Sequence, residues 1–269
     1  MRAPAAEPDD DMPHPSGPAI VVVALLWVGC ARADDDVPSF DRPGLAFASQ
    51  TLARGDWAWE QGLPDATTDR QQGVRTTTWV ADSLLRYGVT DAFELQLGAD
   101  DRGWQDVRGP HAMHVRDEGG GDARIGVKFA LPWRSDAFSA AVLATVGIPV
   151  GRAPIGDGGY PGDLGVSIAW AGGGGRSVSL YVDHHQGRDG AGSLAAIAYG
   201  FAVRDGLSGY VESGFGSGAM HAREAGAGLT WMFTPRVQLD VSFLRALDRE
   251  TTDWQSGLGI SVYFAGAHG

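Results

Sequence analysis

The chain has 269 residues, a net charge of -12 from 33 Asp+Glu against 21 Lys+Arg, 40 Gly and one Cys. The acidic balance excludes a nucleic-acid binder, which needs a basic face against phosphates, and the single Cys excludes a disulfide framework or a Cys-based zinc site. Glycine at roughly twice its usual share, scattered among aromatic and β-branched residues, disfavours a helical protein.

In chain order, Ala19 to Gly29 form an apolar run of 11 residues followed by Ala31-Arg32-Ala33. The run is too short for a membrane helix, which needs about 20 residues, and has the form of a secretory leader with an A-x-A cleavage site. Residues 1–33 are therefore expected to be a signal peptide, with Met12 as an alternative start and Asp34 as the first mature residue. Cys30 invites lipidation, but Trp27 stands where a lipoprotein signal has a small aliphatic residue. Residues 34–54 are expected to be a periplasmic segment or a plug.

From Asp56 onward, period 2 is nearly everywhere. Val237, Leu239, Val241 and Phe243 oppose Gln238, Asp240 and Ser242, and Ile125, Val127 and Phe129 oppose Arg124, Gly126 and Lys128. This half-apolar alternation is the strand pattern. Twelve such segments are predicted, at 55–63, 73–87, 92–101, 121–131, 137–149, 163–171, 177–186, 193–203, 207–216, 222–233, 236–247 and 253–264. Connections after the even-numbered segments are short, such as Arg204-Asp205-Gly206 and Thr234-Pro235. Most of the others are longer and rich in Gly and charge, the longest being Asp101 to Gly120.

Alternating short and long connections along an even number of strands mark a transmembrane antiparallel up-and-down β-barrel, all-β, with tight periplasmic turns and longer outer loops. Twelve strands return the carboxyl terminus to the periplasm, and closure satisfies every backbone donor and acceptor. Barrel residues 55–264 are followed by a tail, 265–269. The competing fold is a soluble β-sandwich. Against it stand Trp57, Trp59, Trp79, Tyr87, Trp170, Trp231 and Tyr263 near strand ends, where an interfacial girdle places aromatics, and a last strand ending on Phe264 as barrel-assembly signals do.

With the apolar face toward lipid, the other lines a lumen whose charges must be paired or hydrated. Glu60, Arg86, Glu94, Asp122, Arg124, Lys128 and Asp240 are the candidate lumen residues, and a cross-strand ion-pair ladder is expected. It would either form a selective constriction or fill a narrow barrel with satisfied groups. His111 and His114, or His184-His185, lack a carboxylate at metal-ligand spacing, and no serine lies in a G-x-S-x-G turn. No cofactor, metal or catalytic residue is expected.

Several motifs occur together: Arg42-Pro43-Gly44, Gly55 to Glu60, Arg86 to Asp91 with Glu94-Leu95, Gly121-Asp122 with Gly126-Val127-Lys128, Ile148 to Gly151, and Gln238-Leu239-Asp240. In order and spacing the chain resembles the outer-membrane transporter family labelled "MetA-pathway of phenol degradation". The resemblance implies a Gram-negative outer-membrane barrel taking up small, often aromatic, compounds, with Glu60, Arg86, Glu94, Asp122, Lys128 and Asp240 as its polar motif residues. The expected function is passive passage of a small, aromatic or amphipathic molecule through a monomer. Its partners would be the bilayer, the solute and the barrel-assembly machinery, with no nucleic acid. The alternative is a sealed structural or adhesive barrel with partner-binding outer loops, and a third, less favoured, is a lipid hydrolase at the rim.

Overall fold

The structure is a computed structural model that describes residues 39–133, 135–156 and 158–267; the predicted leader lies outside them. Fourteen strands follow in order: β1 (Trp57–Gly62), β2 (Asp65–Gln71), β3 (Val74–Thr90), β4 (Phe93–Arg108), β5 (His114–Gly119), β6 (Ala123–Leu131), β7 (Phe138–Ile148), β8 (Gly162–Gly172), β9 (Arg176–Gly187), β10 (Gly190–Arg204), β11 (Leu207–Gly218), β12 (Ala222–Thr234), β13 (Val237–Ala246) and β14 (Trp254–Phe264). Each neighbour pair is antiparallel. The sheet closes where β1 pairs with β14, Trp57 opposite Phe264 and Gln61 opposite Ile260.

Fourteen strands make twelve staves, because two staves are interrupted. β1 and β2 share the place between β3 and β14. Pro64, with no N–H to give a ladder, falls between them. β5 and β6 both border β4 and are separated by Gly120-Gly121-Asp122, where the chain passes so close that a Cβ on Gly121 would run into Asp100.

Two predicted loops are therefore corrected. Residues 65–71 continue the first stave, joined to β3 by a tight turn at Gln72 and Gly73, both with positive φ (52° and 81°), the conformation of a primed hairpin turn. β4 runs on to Arg108, and β5 pairs with it inside the predicted 101–120 loop. These extensions are polar on both faces, so they carry no hydrophobic period to read.

The outward face is the apolar one. Leu97 is 54% exposed, Phe243 48% and Leu258 51%, and Ile125, Val127, Phe129, Leu164, Val182 and Val211 join the same band. A water-soluble surface does not carry so continuous an apolar patch; lipid does not penalise it. The inner face holds charge, glycine and small residues. A small apolar cluster of Phe40, Leu52, Ala58 and Tyr263 closes the short-turn end.

Candidate functional site: a charged network inside the barrel

Because side chains alternate across a strand, the register alone puts one polar set inside. Glu94 of β4 lies directly opposite Lys128 of β6, and Arg86 of β3 lies opposite Gln96 on one side and Ala58 on the other. Glu60, Arg86, Glu94 and Lys128 are fully buried. Arg86 grips Glu94 with two bonds, Nε to Oε1 at 2.8 Å and Nη2 to Oε2 at 3.0 Å, and Nη1 donates to Glu60 at 3.0 Å. This planar fork is the geometry in which a desolvated guanidinium is best satisfied.

The wall does not complete the network. Residues 39–52 run through the interior, and Asp41 accepts from Lys128 Nζ at 2.6 and 2.9 Å and from Gln96 Nε2 at 2.8 Å, with Arg86 at 3.5 Å. Burial alone would raise its carboxyl, but Arg86 and Lys128 hold it below the ordinary range. In return Glu60 accepts the backbone N–H groups of Asp41 and Arg42, at 3.0 and 2.7 Å, and Glu94 that of Leu52 at 2.9 Å. Further along, Leu45 donates its N–H to Glu212, Phe47 meets Tyr181 edge-on at 5.5 Å between ring centroids, and Ser49 bonds Ser139.

A second cluster lies toward the long loops. Arg42 binds Asp65 through both terminal nitrogens at 3.0 Å and Asp82 at 3.2 Å, and stands 3.6 Å from Asp240. One guanidinium thus faces three carboxylates, and both Asp240 oxygens are buried without a hydrogen bond. Arg124 reaches Asp100 at 3.2 Å and Asp82 at 3.8 Å. Beside Arg42 a polar hollow of about 180 Å³ is bounded by the Pro43-Gly44-Leu45 turn and by Asp65, Glu212 and Gln255.

Of the seven predicted lumen residues, the structure brings Glu60, Arg86, Glu94 and Lys128 into one network, with Asp240 and Arg124 above it. Asp122 is elsewhere: it precedes β6 and accepts the N–H of Gly151 at 2.8 Å, tying down the loop after β7. Asp41, Arg42, Asp65 and Asp82 were not singled out. Only the Arg42-Pro43-Gly44 motif signalled any of them, because a segment outside the sheet has no alternation. Among the aromatics, Trp57 and Tyr87 meet at a tilt outside, 4.3 Å between ring centroids, near the short turns, Trp59, Trp170 and Trp231 also face outward, and Trp79 stacks on Trp104 at the opposite end. Tyr263 must be corrected. Its parity is that of Ser261 and Gly259, so it points inward, 4% exposed, and donates its hydroxyl to Asp56. Among the described residues no group of three or more His, Cys, Asp or Glu is placed to hold a metal.

A closed twelve-stave barrel, lipid-facing outside and charged within, defines a porin-like β-barrel of the Gram-negative outer membrane. Residues 40–264 match the family described as the "MetA-pathway of phenol degradation", and the chain belongs to that family. An outer membrane channel from Pseudomonas putida F1 is similar at 16% identity and a TM-score of 0.62, over 80% of this chain and 98% of that one. The KdgM porin, solved in complex with disordered oligogalacturonate, is similar at 8% identity and 0.52, over 78% and 99%. No curated protein matches the chain.

Proposed function

We propose that the protein is a passive outer-membrane channel for small amphipathic or aromatic molecules, with residues 39–52 acting as a plug that must shift for solute to pass. One observation carries this. The inner wall's excess charge is answered by side chains that do not belong to the wall, Asp41 for Lys128 and Arg42 for Asp65, Asp82 and Asp240. The segment is held by side-chain contacts and single N–H donors rather than by a sheet ladder, so it can leave without opening the barrel. Leu45, Phe47 and Tyr181 beside buried ions give the route an amphipathic lining. Glu60, Arg86, Glu94, Lys128 and Asp240 would set selectivity, and no chemical step is needed.

Entry of a small neutral aromatic and of its carboxylate into proteoliposomes tests the proposal. Glu94→Ala and Lys128→Ala should change the ratio of the two rates; flux no greater than in empty liposomes, for wild type and variants alike, would sink it. The occupied lumen also favours a second reading, a sealed barrel whose outer loops bind a partner. Loop deletion would then abolish binding while lumen substitutions stayed silent.

A further inference from the structure

At the long-loop end β2, β3, β4 and β5 form a four-stranded extension whose two faces differ in charge. The face continuous with the outward apolar belt carries Arg70, Arg75, Arg102, Arg108, Arg116 and His114, answered by Asp106 and by Glu118, which Arg102 takes at 2.9 Å. The opposite face carries Asp65, Asp69 and Asp117 and no cation. The basic residues are moreover aligned. Arg70 lies directly opposite Arg75, Arg75 opposite Arg108, and Arg108 opposite His114. With neighbouring strands about 4.8 Å apart, this is a row about 14 Å wide, three arginines abreast with His114 at its end.

Like charges placed directly across strands are destabilising, and the relief supplied within the sheet is partial. Asp106 pairs with Arg108 at 2.7 Å and His114 at 2.8 Å, while Arg70, Arg75 and Arg116 make no ion pair among the described residues. In a chain of net charge -12, such a row is not a by-product of general basicity.

Its height on the barrel indicates what it meets. On the same face, four residues down each strand, the indoles of Trp79 and Trp104 stack at 5.8 Å. Along a tilted strand that interval is about 10 Å. Aromatics of this kind sit at headgroup level, so the arginines stand just above the acyl chains. Arg75, Arg108 and Asp106 form the upper part of a hollow of about 250 Å³ whose floor is Thr77, Trp79 and Trp254.

We propose that this row binds the phosphate groups of a phosphorylated glycolipid of the outer leaflet, lipid A in chemistry. Arg75 and Arg108 donate to a phosphate, as planar guanidinium forks do well, and the indole floor packs beneath the sugar. The assignment depends on the long-loop end facing outward and not on whether the lumen conducts.

The full-length barrel, purified in non-ionic detergent, is titrated with lipid A carrying both phosphates and with the same lipid dephosphorylated, bound lipid being read by native mass spectrometry. Wild type should retain the phosphorylated form, and Arg75→Gln/Arg108→Gln should bind it about tenfold or more weakly, the order expected when charge-assisted bonds are lost. Arg176→Gln/Arg204→Gln, at the short-turn end, should bind as wild type does. Heat-modifiable gel mobility verifies folding, and if the double variant misfolds Arg75→Gln alone carries the comparison. Equal retention of the dephosphorylated lipid, equal retention by Arg75→Gln/Arg108→Gln, or displacement by inorganic phosphate at the lipid's own concentration would each overturn the proposal, the last by making the row a free-anion site.

Discussion

Asp41→Asn is the sharpest perturbation of the proposed plug. It removes the carboxylate that accepts twice from Lys128 and lies 3.5 Å from Arg86, while conserving shape. Lys128 is left fully buried with Glu94 at 3.7 Å as its remaining acid. Breaking a buried pair by removing one partner costs about 3–5 kcal/mol. Because Glu94 stays, the lower end, about 3 kcal/mol, is the better figure for the seat. At 1.36 kcal/mol per decade, that raises the displaced population on the order of a hundredfold. Single-channel recording in planar bilayers should show open probability rising accordingly. Asp41→Asn/Lys128→Met, which removes the stranded charge, should be non-additive with the single variants. Unchanged open probability in Asp41→Asn, or simple additivity, would refute the idea that this ion pair seats the segment. Acid should do the same, but late. A carboxyl held below its ordinary 3.8 contributes stability fully above that value and loses it only as pH falls through the lowered one. The factor by which Asp41→Asn raises open probability should therefore be the same at pH 5 as at pH 7.

Arg42→Gln should strip the cation from Asp65, Asp82 and Asp240, so reversal potentials in asymmetric salt should move toward stronger cation preference. Tyr263→Phe deletes the donor to buried Asp56 and should cost about 1–3 kcal/mol, read as a lower temperature for the shift in heat-modifiable gel mobility. Leu97→Arg puts a charge on the lipid face of β4, where Leu97 is 54% exposed, and should lower folding yield into liposomes by a cost of up to about 2–4 kcal/mol. The same change at half-buried Thr145, on the inner face, should be tolerated better.

The barrel was legible because lipid imposes one rule on every stave, and the alternation of Val237 to Phe243 is that rule written out. The same parity fixes Glu60, Arg86, Glu94 and Lys128 inward, and it would have fixed Tyr263 inward had residue type not been weighed above position. Asp122 escaped because it lies one residue before β6 begins, where alternation no longer constrains direction. β2 and β5 escaped because polar residues stand on both their faces, so nothing in Asp65 to Gln71 or His114 to Gly119 sorts apolar from polar. Asp41 and Arg42 escaped for a deeper reason. Their partners are Lys128, Asp65, Asp82 and Asp240, and only closure of the sheet brings these to a segment that precedes them all.

The seam between β1 and β14 has a consequence for biogenesis. Trp57 meets Phe264, so a nascent chain offers two raw borders until β14 is made, and no product lacking it can cover them. Premature stop codons within β14 should therefore yield periplasmic debris rather than a weakened barrel, and the waiting polypeptide must be shielded in transit by something other than itself.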